Sequence, residues 1–271
     1  MPYVDMPVHD APEAAFVVYT VLMALVSIGF LAWWALSAQR RQEPVLPLLL
    51  LGGAVAGLVE PFLDNVVLFW WPPEQQTELF EAFGRTIPLF VPIGYAWFCG
   101  GLLYFAARLY DRGAGAGHVW LLFAAVAVVD FVAIGLTTWL GIAGFFGGAP
   151  MRIAGFPLWW AAIDGVDVIL GGAVVWFLTP VLRGRRRLYL VLVPPVMIGM
   201  AGGGIGWPIS TALNSGWSTP AKWAAAAVTI GLGLSIVHLV AQVVARSNRL
   251  QEASGAGGSS RWDQLVAKRQ L

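Results

Sequence analysis

The sequence predicts an all-α, polytopic transmembrane helix bundle with about seven spans. Of the 271 residues, 58% are hydrophobic and only 11% are charged, whereas soluble domains carry about 25% charged residues. The mean hydropathy is correspondingly high, at +0.73. Apolar runs of roughly 20 residues recur along the chain, and a helix of that length crosses a hydrocarbon core of about 30 Å. Nearly all charged residues fall between these runs, as expected for loops outside a membrane.

The seven apolar runs follow one another through short connections. Their predicted starts are Ala14, Val45, Ile87, Val119, Pro157, Leu188 and Pro220. Small residues four positions apart, such as Gly53 and Gly57, allow neighbouring helices to approach closely. We therefore expect residues 1–246 to form the transmembrane domain. A Ser/Gly-rich stretch followed by a short amphipathic end predicts a flexible cytoplasmic tail over residues 247–271.

The connections differ in charge on the two sides of the predicted membrane. Arginines follow the first, third, fifth and seventh runs, namely Arg40, Arg41, Arg108, Arg112, Arg183, Arg185, Arg186, Arg187, Arg246 and Arg249. The opposite side has fewer basic residues: an acidic N-terminus with Asp5, Asp10 and Glu13, a loop with Glu74, Glu78, Glu81 and Arg85, a loop with Arg152 and a loop ending at Lys222. By the positive-inside rule, the N-terminus is outside and the C-terminus is cytoplasmic. This pattern predicts an integral, multi-pass protein, located in the plasma membrane if the organism is bacterial.

Composition and motifs disfavour several function classes. The net charge of +1 gives no basic field for nucleic acid. Cys99 is the single cysteine, and the three histidines are scattered, so neither an internal disulfide nor a metal site is expected. There is no phosphate-binding glycine loop and no aspartate-rich motif for a metal–pyrophosphate substrate. No cofactor is therefore expected.

Five carboxyl side chains inside the apolar runs are the strongest indication of function: Glu60, Asp64, Asp130, Asp164 and Asp167. Ionisable groups in hydrocarbon are costly and are usually functional. Glu60 and Asp64 are four positions apart, and Asp164 and Asp167 are three apart, so each pair shares a helix face. Their similar depth predicts one shared cavity. Because no Lys or Arg lies at that depth in any run, we expect no cationic partner there.

Aromatic residues are predicted at the same depth as these acids. They are Phe62, Trp97, Phe98, Trp139 and Trp207, which we expect to bind a substrate together with Asp130. Aromatic faces attract cations, including carbocations, through the quadrupole of the ring. Other tryptophans at the ends of the runs, such as Trp71 and Trp160, are interpreted as anchors in the headgroup layer.

One short motif supports a resemblance to a known family. The stretch Val59-Glu60-Pro61-Phe62-Leu63-Asp64-Asn65 in the second run, with the overall size and the number of spans, resembles the small integral-membrane terpene cyclases of meroterpenoid and indole-terpenoid pathways. The resemblance extends over the arrangement of spans in residues 14–246. The resemblance implies that Glu60 protonates an epoxide or alkene of a polyprenyl chain, and we expect Asp64, one turn away, to help it. Since no carboxyl occurs between Asp167 and Glu252, Asp164 or Asp167 is the expected second acid.

These observations predict a membrane enzyme that binds a lipophilic small molecule between its helices. Two other function classes fit the same residues. A proton-coupled transporter or a lipophile-binding protein would use the acids to load protons or to hold a cationic solute. A scaffold subunit would bury them in hydrogen-bonded helix contacts. The substrate and the oligomeric state stay open at this point.

Overall fold

A computed structural model describes residues 12–37, 44–72 and 77–253 of the chain. Several residues used for the predicted orientation lie outside these ranges, namely Asp5, Asp10, Arg40, Arg41 and Glu74. The tail beyond Ala253 also lies outside them. Predictions that depend on those residues therefore stay predictions.

The described chain is all-α apart from short strands in the connections, which confirms the all-α part of the predicted fold class. Seven helices are long and apolar enough to cross a membrane, and we number them spans 1 to 7: Glu13–Leu36, Val45–Val67, Phe90–Asp111, Ala116–Trp139, Leu158–Leu178, Gly184–Ile205 and Thr219–Gln251. The predicted starts differ from these by four residues at most, the largest difference being between Leu188 and Gly184. The last helix continues to Ala253, beyond the domain boundary predicted at residue 246.

Spans 2, 3 and 6 are interrupted by tighter or wider helical turns. Span 2 contains a 3₁₀ turn at Gly57–Val59 between α-helices Val45–Ala56 and Glu60–Val67. Span 3 contains a π-helical segment at Ala96–Gly101 between α-helices Phe90–Tyr95 and Leu102–Asp111. Span 6 consists of a 3₁₀ segment Gly184–Leu192, an α-helix Val193–Met200 and a π-helical segment Ala201–Ile205, followed by an α-helix Trp207–Asn214. Proline and glycine near such turns remove or weaken regular hydrogen bonds, and π segments are frequent at functional sites.

Six short strands, which the sequence analysis did not predict, form a cap over one end of the bundle. β1 (Phe69–Trp70) pairs with β4 (Gly144–Phe145), β2 (Glu78–Ala82) with β3 (Arg85–Pro88), and β5 (Arg152–Ile153) with β6 (Phe156–Pro157), all antiparallel. The β1–β4 pair joins the connection after span 2 to the connection after span 4. Two- to five-residue strands show too little alternation of polar and apolar residues to be recognised in the sequence.

Close helix contacts through glycine hold spans 2, 3 and 5 together. A Cβ atom at Gly100 would lie 2.2 Å from the backbone oxygen of Leu49, and one at Gly53 would lie 2.3 Å from the backbone oxygen of Tyr95. A Cβ atom at Gly172 would lie 2.3 Å from the Cβ of Ala106. Only glycine permits such approach of helix backbones. Spans 1 and 4 lie at the periphery, with 17% of their apolar windows buried.

Candidate active site

A cavity lies between spans 1 to 5, beneath the cap. Its volume is about 70 Å³, and the space free of atoms in and around it, including its open mouth, is about 670 Å³. Its wall is formed by Tyr19, Met23, Glu60, Leu63, Asp64, Val67, Phe69, Trp71, Phe90, Val91, Gly94, Tyr95, Trp97, Phe98, Asp130, Ala133, Ile134, Phe145, Trp160 and Asp164. Four of the five predicted acids therefore share one largely aromatic cavity, including Glu60 and Asp164 from different spans.

Glu60 is held at the cavity wall by the irregular turn in span 2. The 3₁₀ turn Gly57–Val59 ends at this residue, and Pro61 occupies the first turn of the helix that follows. The hydroxyl group of Tyr95 donates a hydrogen bond to the Oε2 atom of Glu60. The indole ring of Trp71, from the cap, also lies beside this carboxyl group. Glu60 thus has one oriented oxygen and an aromatic surrounding.

Asp64 lies one turn further along the same helix face and interacts electrostatically with both Glu60 and Arg85. Arg85, in β3 of the cap, is buried, and its guanidinium carbon lies 5.2 Å from the ring centre of Phe146. Burial lowers the pKa of Arg85 below its usual value, and the attraction of the Asp64 carboxylate partly offsets this effect. The expectation that the acids have no cationic partner is therefore corrected, because Arg85 reaches Asp64 from a connection and not from a span.

Asp130 of span 4 and Asp164 of span 5 form a second acidic pair in the same cavity. Their carboxyl groups are within hydrogen-bonding reach of each other. The Oδ2 atom of Asp130 and the Oδ1 atom of Asp164 are buried and accept no hydrogen bond from the described protein atoms. Two carboxyl groups can bond to each other only if they share a proton. This pair is thus arranged to hold and exchange a proton.

Asp167 is the one predicted acid that does not line the cavity. It is completely buried one turn deeper in span 5, next to the thiol of Cys99. The spacing of three residues does place it on the same helix face as Asp164, but the π-helical segment of span 3 covers it. The prediction that Asp167 is a catalytic residue is therefore corrected, because its side chain does not reach the cavity.

The predicted aromatic wall is partly correct. Trp97 and Phe98 line the cavity, whereas Phe62, Trp139 and Trp207 face outwards with 45%, 80% and 56% of their surface exposed. Helix geometry explains why Phe62 and Trp139 face outwards. Phe62 follows Glu60 by two residues and Trp139 follows Asp130 by nine, so each ring lies about 200° or 180° around its helix from the acid that lines the cavity. Trp207 begins a separate short helix after the π-helical segment of span 6. These three residues are corrected from substrate-binding to outward-facing.

Several important wall residues were missed or interpreted otherwise. Trp71 and Trp160, expected to be headgroup anchors, are buried and line the cavity. Tyr19 and Tyr95 also line it and supply hydroxyl groups. The sequence does hold one signal for Tyr95, because it follows the kink-prone Pro92 by three residues and so lies where a helix is expected to bend around a site. No local pattern indicates which face of span 1 or of the cap turns inwards.

In the part of the chain that the structure describes, the fold is an all-α bundle with seven candidate membrane spans that encloses a buried, acidic and aromatic cavity. Within the described residues, no group of three or more His, Cys, Asp or Glu side chains is arranged to hold a metal ion. Compared with known proteins, the chain matches no family model, no curated protein and no solved structure.

Proposed function

We propose that the chain is a multi-pass membrane enzyme that cyclises or isomerises a lipophilic polyprenyl compound by protonation, as in the terpene cyclase family that it resembles. Its N-terminus is then outside and its C-terminus cytoplasmic, in keeping with the arginine-rich connections. The observation that carries the proposal is the position of Glu60, hydrogen-bonded to Tyr95 in a cavity walled by aromatic rings.

In the proposed reaction, protonated Glu60 gives its proton to an alkene carbon or to an epoxide oxygen of the substrate. A new C–H or O–H bond forms, the π bond or the C–O bond breaks, and a carbocation results. The faces of Trp97, Phe98 and Trp160 stabilise that cation electrostatically. Loss of a proton from the carbon next to the final cation completes the rearrangement, and the Asp130–Asp164 pair, which then holds one proton only, accepts it. Transfer of a proton from this pair back to Glu60 through water restores the starting state of the enzyme. The substrate is isomerised without a cofactor.

Tyr95 is a positioning residue in this mechanism. Its hydroxyl group donates to Oε2 of Glu60, so Oε1 is the oxygen left to carry the proton towards the substrate. Asp64 places a second acidic group one turn away, and Arg85 balances its charge. The arrangement fixes the rotamer of Glu60 without neutralising it by a direct ion pair.

The decisive experiment is conversion by Glu60→Gln, which keeps the shape of the side chain and removes the transferable proton. Purified protein is incubated in detergent with plain and epoxidised polyprenyl compounds, and isomeric products of unchanged mass are quantified. We expect turnover to fall by about 10²- to 10⁴-fold with normal yield and thermal stability, as is typical when general acid catalysis is lost. Asp167→Asn is the matched control, a buried acid outside the cavity, and should lose less than about tenfold.

Wild-type turnover with unchanged activity in Glu60→Gln would remove Glu60 from the reaction. A second candidate function, proton-coupled transport, is favoured by the proton-sharing pair of Asp130 and Asp164 on two different helices. Absence of conversion, together with solute flux that occurs only in sealed vesicles and is abolished by an ionophore, would support transport. A scaffold role predicts that neutral substitutions of all the acids leave every such activity unchanged.

A further inference from the structure

The wall of the cavity between spans 1 and 4 is built differently from the other walls. Tyr19 and Met23 from span 1 and Ala133 and Ile134 from span 4 line the cavity. We call these four residues the 1–4 seam. Spans 1 and 4 do not pack against each other along their length, in contrast to the glycine-mediated contacts of spans 2, 3 and 5. The seam is the weakly packed side of the cavity.

The contacts across the seam can be opened at low cost. The hydroxyl group of Tyr19 donates to the backbone oxygen of Ala133 at 3.4 Å, which is long for an O–H···O bond. On the inner side of the seam, the indole N–H of Trp97 in span 3 donates a hydrogen bond to the sulfur atom of Met23 at 3.4 Å. Methionine is flexible and adapts to different neighbours, and its thioether sulfur is a weak acceptor, so this side chain can move aside at the loss of one weak hydrogen bond.

The cap covers one end of the cavity. The β1–β4 pair crosses the end of the cavity and places the rings of Phe69 and Phe145 over it. Lys222, at the start of span 7, donates to the backbone oxygen of Gly147 at 2.8 Å and ties down the connection that contains β4. A lipophilic ligand dissolved in a bilayer has no need of a path through the cap, since spans 1 and 4, on the two sides of the seam, are the least buried of the seven candidate spans.

The size of the cavity decides how much of a ligand it encloses. The cavity volume of about 70 Å³ is enough for a few water molecules, since about 10–15 Å³ is the least that admits one. Pockets that enclose a whole drug-sized ligand measure about 300–1,000 Å³. A long lipophile can therefore place only its reactive end inside, and the rest must project outwards.

We propose that the ligand is a long-chain lipophile that enters from the bilayer through the 1–4 seam, reactive end first, and that its tail stays between spans 1 and 4. The head then meets Glu60, while the tail lies between Tyr19 and Met23 on one side and Ala133 and Ile134 on the other. Asp130, which lies close to Tyr19, marks the inner mouth of this path. The inference takes from the proposed function only that the ligand is a long lipophile.

The first test is photo-crosslinking of the native sequence in lipid vesicles. The probe is a polyprenyl alcohol with a diazirine at the end remote from the hydroxyl group, and the labelled residues are mapped by mass spectrometry. We expect labels on seam residues, mainly Met23 and Ile134. Labels on cap residues such as Phe69 and Phe145, or between another pair of spans, would overturn the inference.

The second test narrows the seam. Ala133→Trp places a large ring in the path, whereas the matched control Val132→Trp places it on the neighbouring residue, which is 59% exposed and points away from the cavity. We expect association of a fluorescent polyprenyl alcohol from vesicles to slow by about tenfold or more in Ala133→Trp and by less than about twofold in the control. Equal association rates in the two variants would overturn the inference. If seam residues are labelled but no substrate is converted, the proposed enzymatic function is rejected and the entry path is kept. If substrate is converted but the labels lie elsewhere, the entry path is rejected and the enzymatic function is kept.

Discussion

Spans 2, 3 and 5 pack tightly over one half of their length and separate around the cavity over the other half. In the packed half, Gly100 lies against Leu49 and Gly172 against Ala106, with no room for a side chain between the helices. In the cavity half, the same helices present Glu60, Tyr95 and Asp164 to an enclosed space. The change between the two halves coincides with the 3₁₀ turn of span 2 and the π-helical segment of span 3.

This comparison shows how one bundle can contain both a rigid frame and a costly site. Buried carboxyl groups cost free energy unless they are hydrogen-bonded or paired. The packed half supplies dispersion contacts between backbones, which are the main source of helix association in an apolar solvent. The frame therefore tolerates a cavity half with poorly satisfied acids, and substitutions in the two halves should have different consequences.

The largest expected effect is on the packed half. Gly100→Ala introduces a Cβ atom 2.2 Å from a backbone oxygen of Leu49, so spans 2 and 3 must move apart. We expect a loss of about 3 kcal/mol in the free energy of unfolding, the upper end for overpacking, seen as low yield and early thermal unfolding in detergent. Gly135→Ala is the control, because nothing lies within 4 Å of its added Cβ. A stable Gly100→Ala protein would show that the close helix contact is not what holds this half together.

The next effect concerns the proton-sharing pair of the cavity half. Asp130→Asn and Asp164→Asn should each lower turnover by about 10- to 100-fold with little change in stability, because each leaves a pair that no longer exchanges a proton. The double variant should lose no more than the more damaging single one, since residues that act as a unit are not additive. Multiplicative losses, measured by steady-state turnover on the same substrate, would mean that the two acids act separately.

A smaller effect is expected where the cap meets the cavity. Arg85→Met removes the cation beside Asp64 and should lower the free energy of unfolding by about 1–3 kcal/mol, as when a buried polar partner is removed. Adding Asp64→Asn should restore part of the loss, since the remaining carboxylate is then gone. Thermal unfolding of the two single variants and the double variant measures this coupling. Strictly additive losses would show that Arg85 and Asp64 do not interact.

The smallest effect is expected on the outer surface. Trp139→Leu changes a ring that is 80% exposed and faces away from the cavity. Surface substitutions of this kind usually stay within about 0.5 kcal/mol, so turnover and thermal stability should hardly change. Trp97→Leu, at a ring that lines the cavity, is the matched comparison and should lower turnover. If Trp139→Leu instead lowered turnover by about tenfold, the outward-facing assignment of this residue would be wrong.

The sequence predicted the position of a site residue correctly where its neighbours lie in the same regular helix, and wrongly where they come from an irregular segment. Glu60 and Asp64 were placed together correctly because a spacing of four holds within one regular helix. Asp167 was misplaced relative to the cavity because its cover comes from an irregular segment of span 3. The interaction of Arg85 with Asp64 was not predicted, because Arg85 lies in the connection that folds back over the bundle. The spacing of residues within one helix gives no indication of such a contact.

The sequence by itself determined the helical class, the starts of the seven candidate spans and the set of acids, because length, apolarity and 3.6-residue periodicity are local properties. Only the tertiary structure decided that Asp130 meets Asp164, that Tyr95 holds Glu60, and that Trp71 and Trp160 turn inwards while Trp139 and Trp207 turn outwards. Those contacts depend on how each helix is rotated about its own axis. In a chain that is apolar on nearly all helix faces, hydrophobic patterning does not set that rotation, and close packing of small residues does.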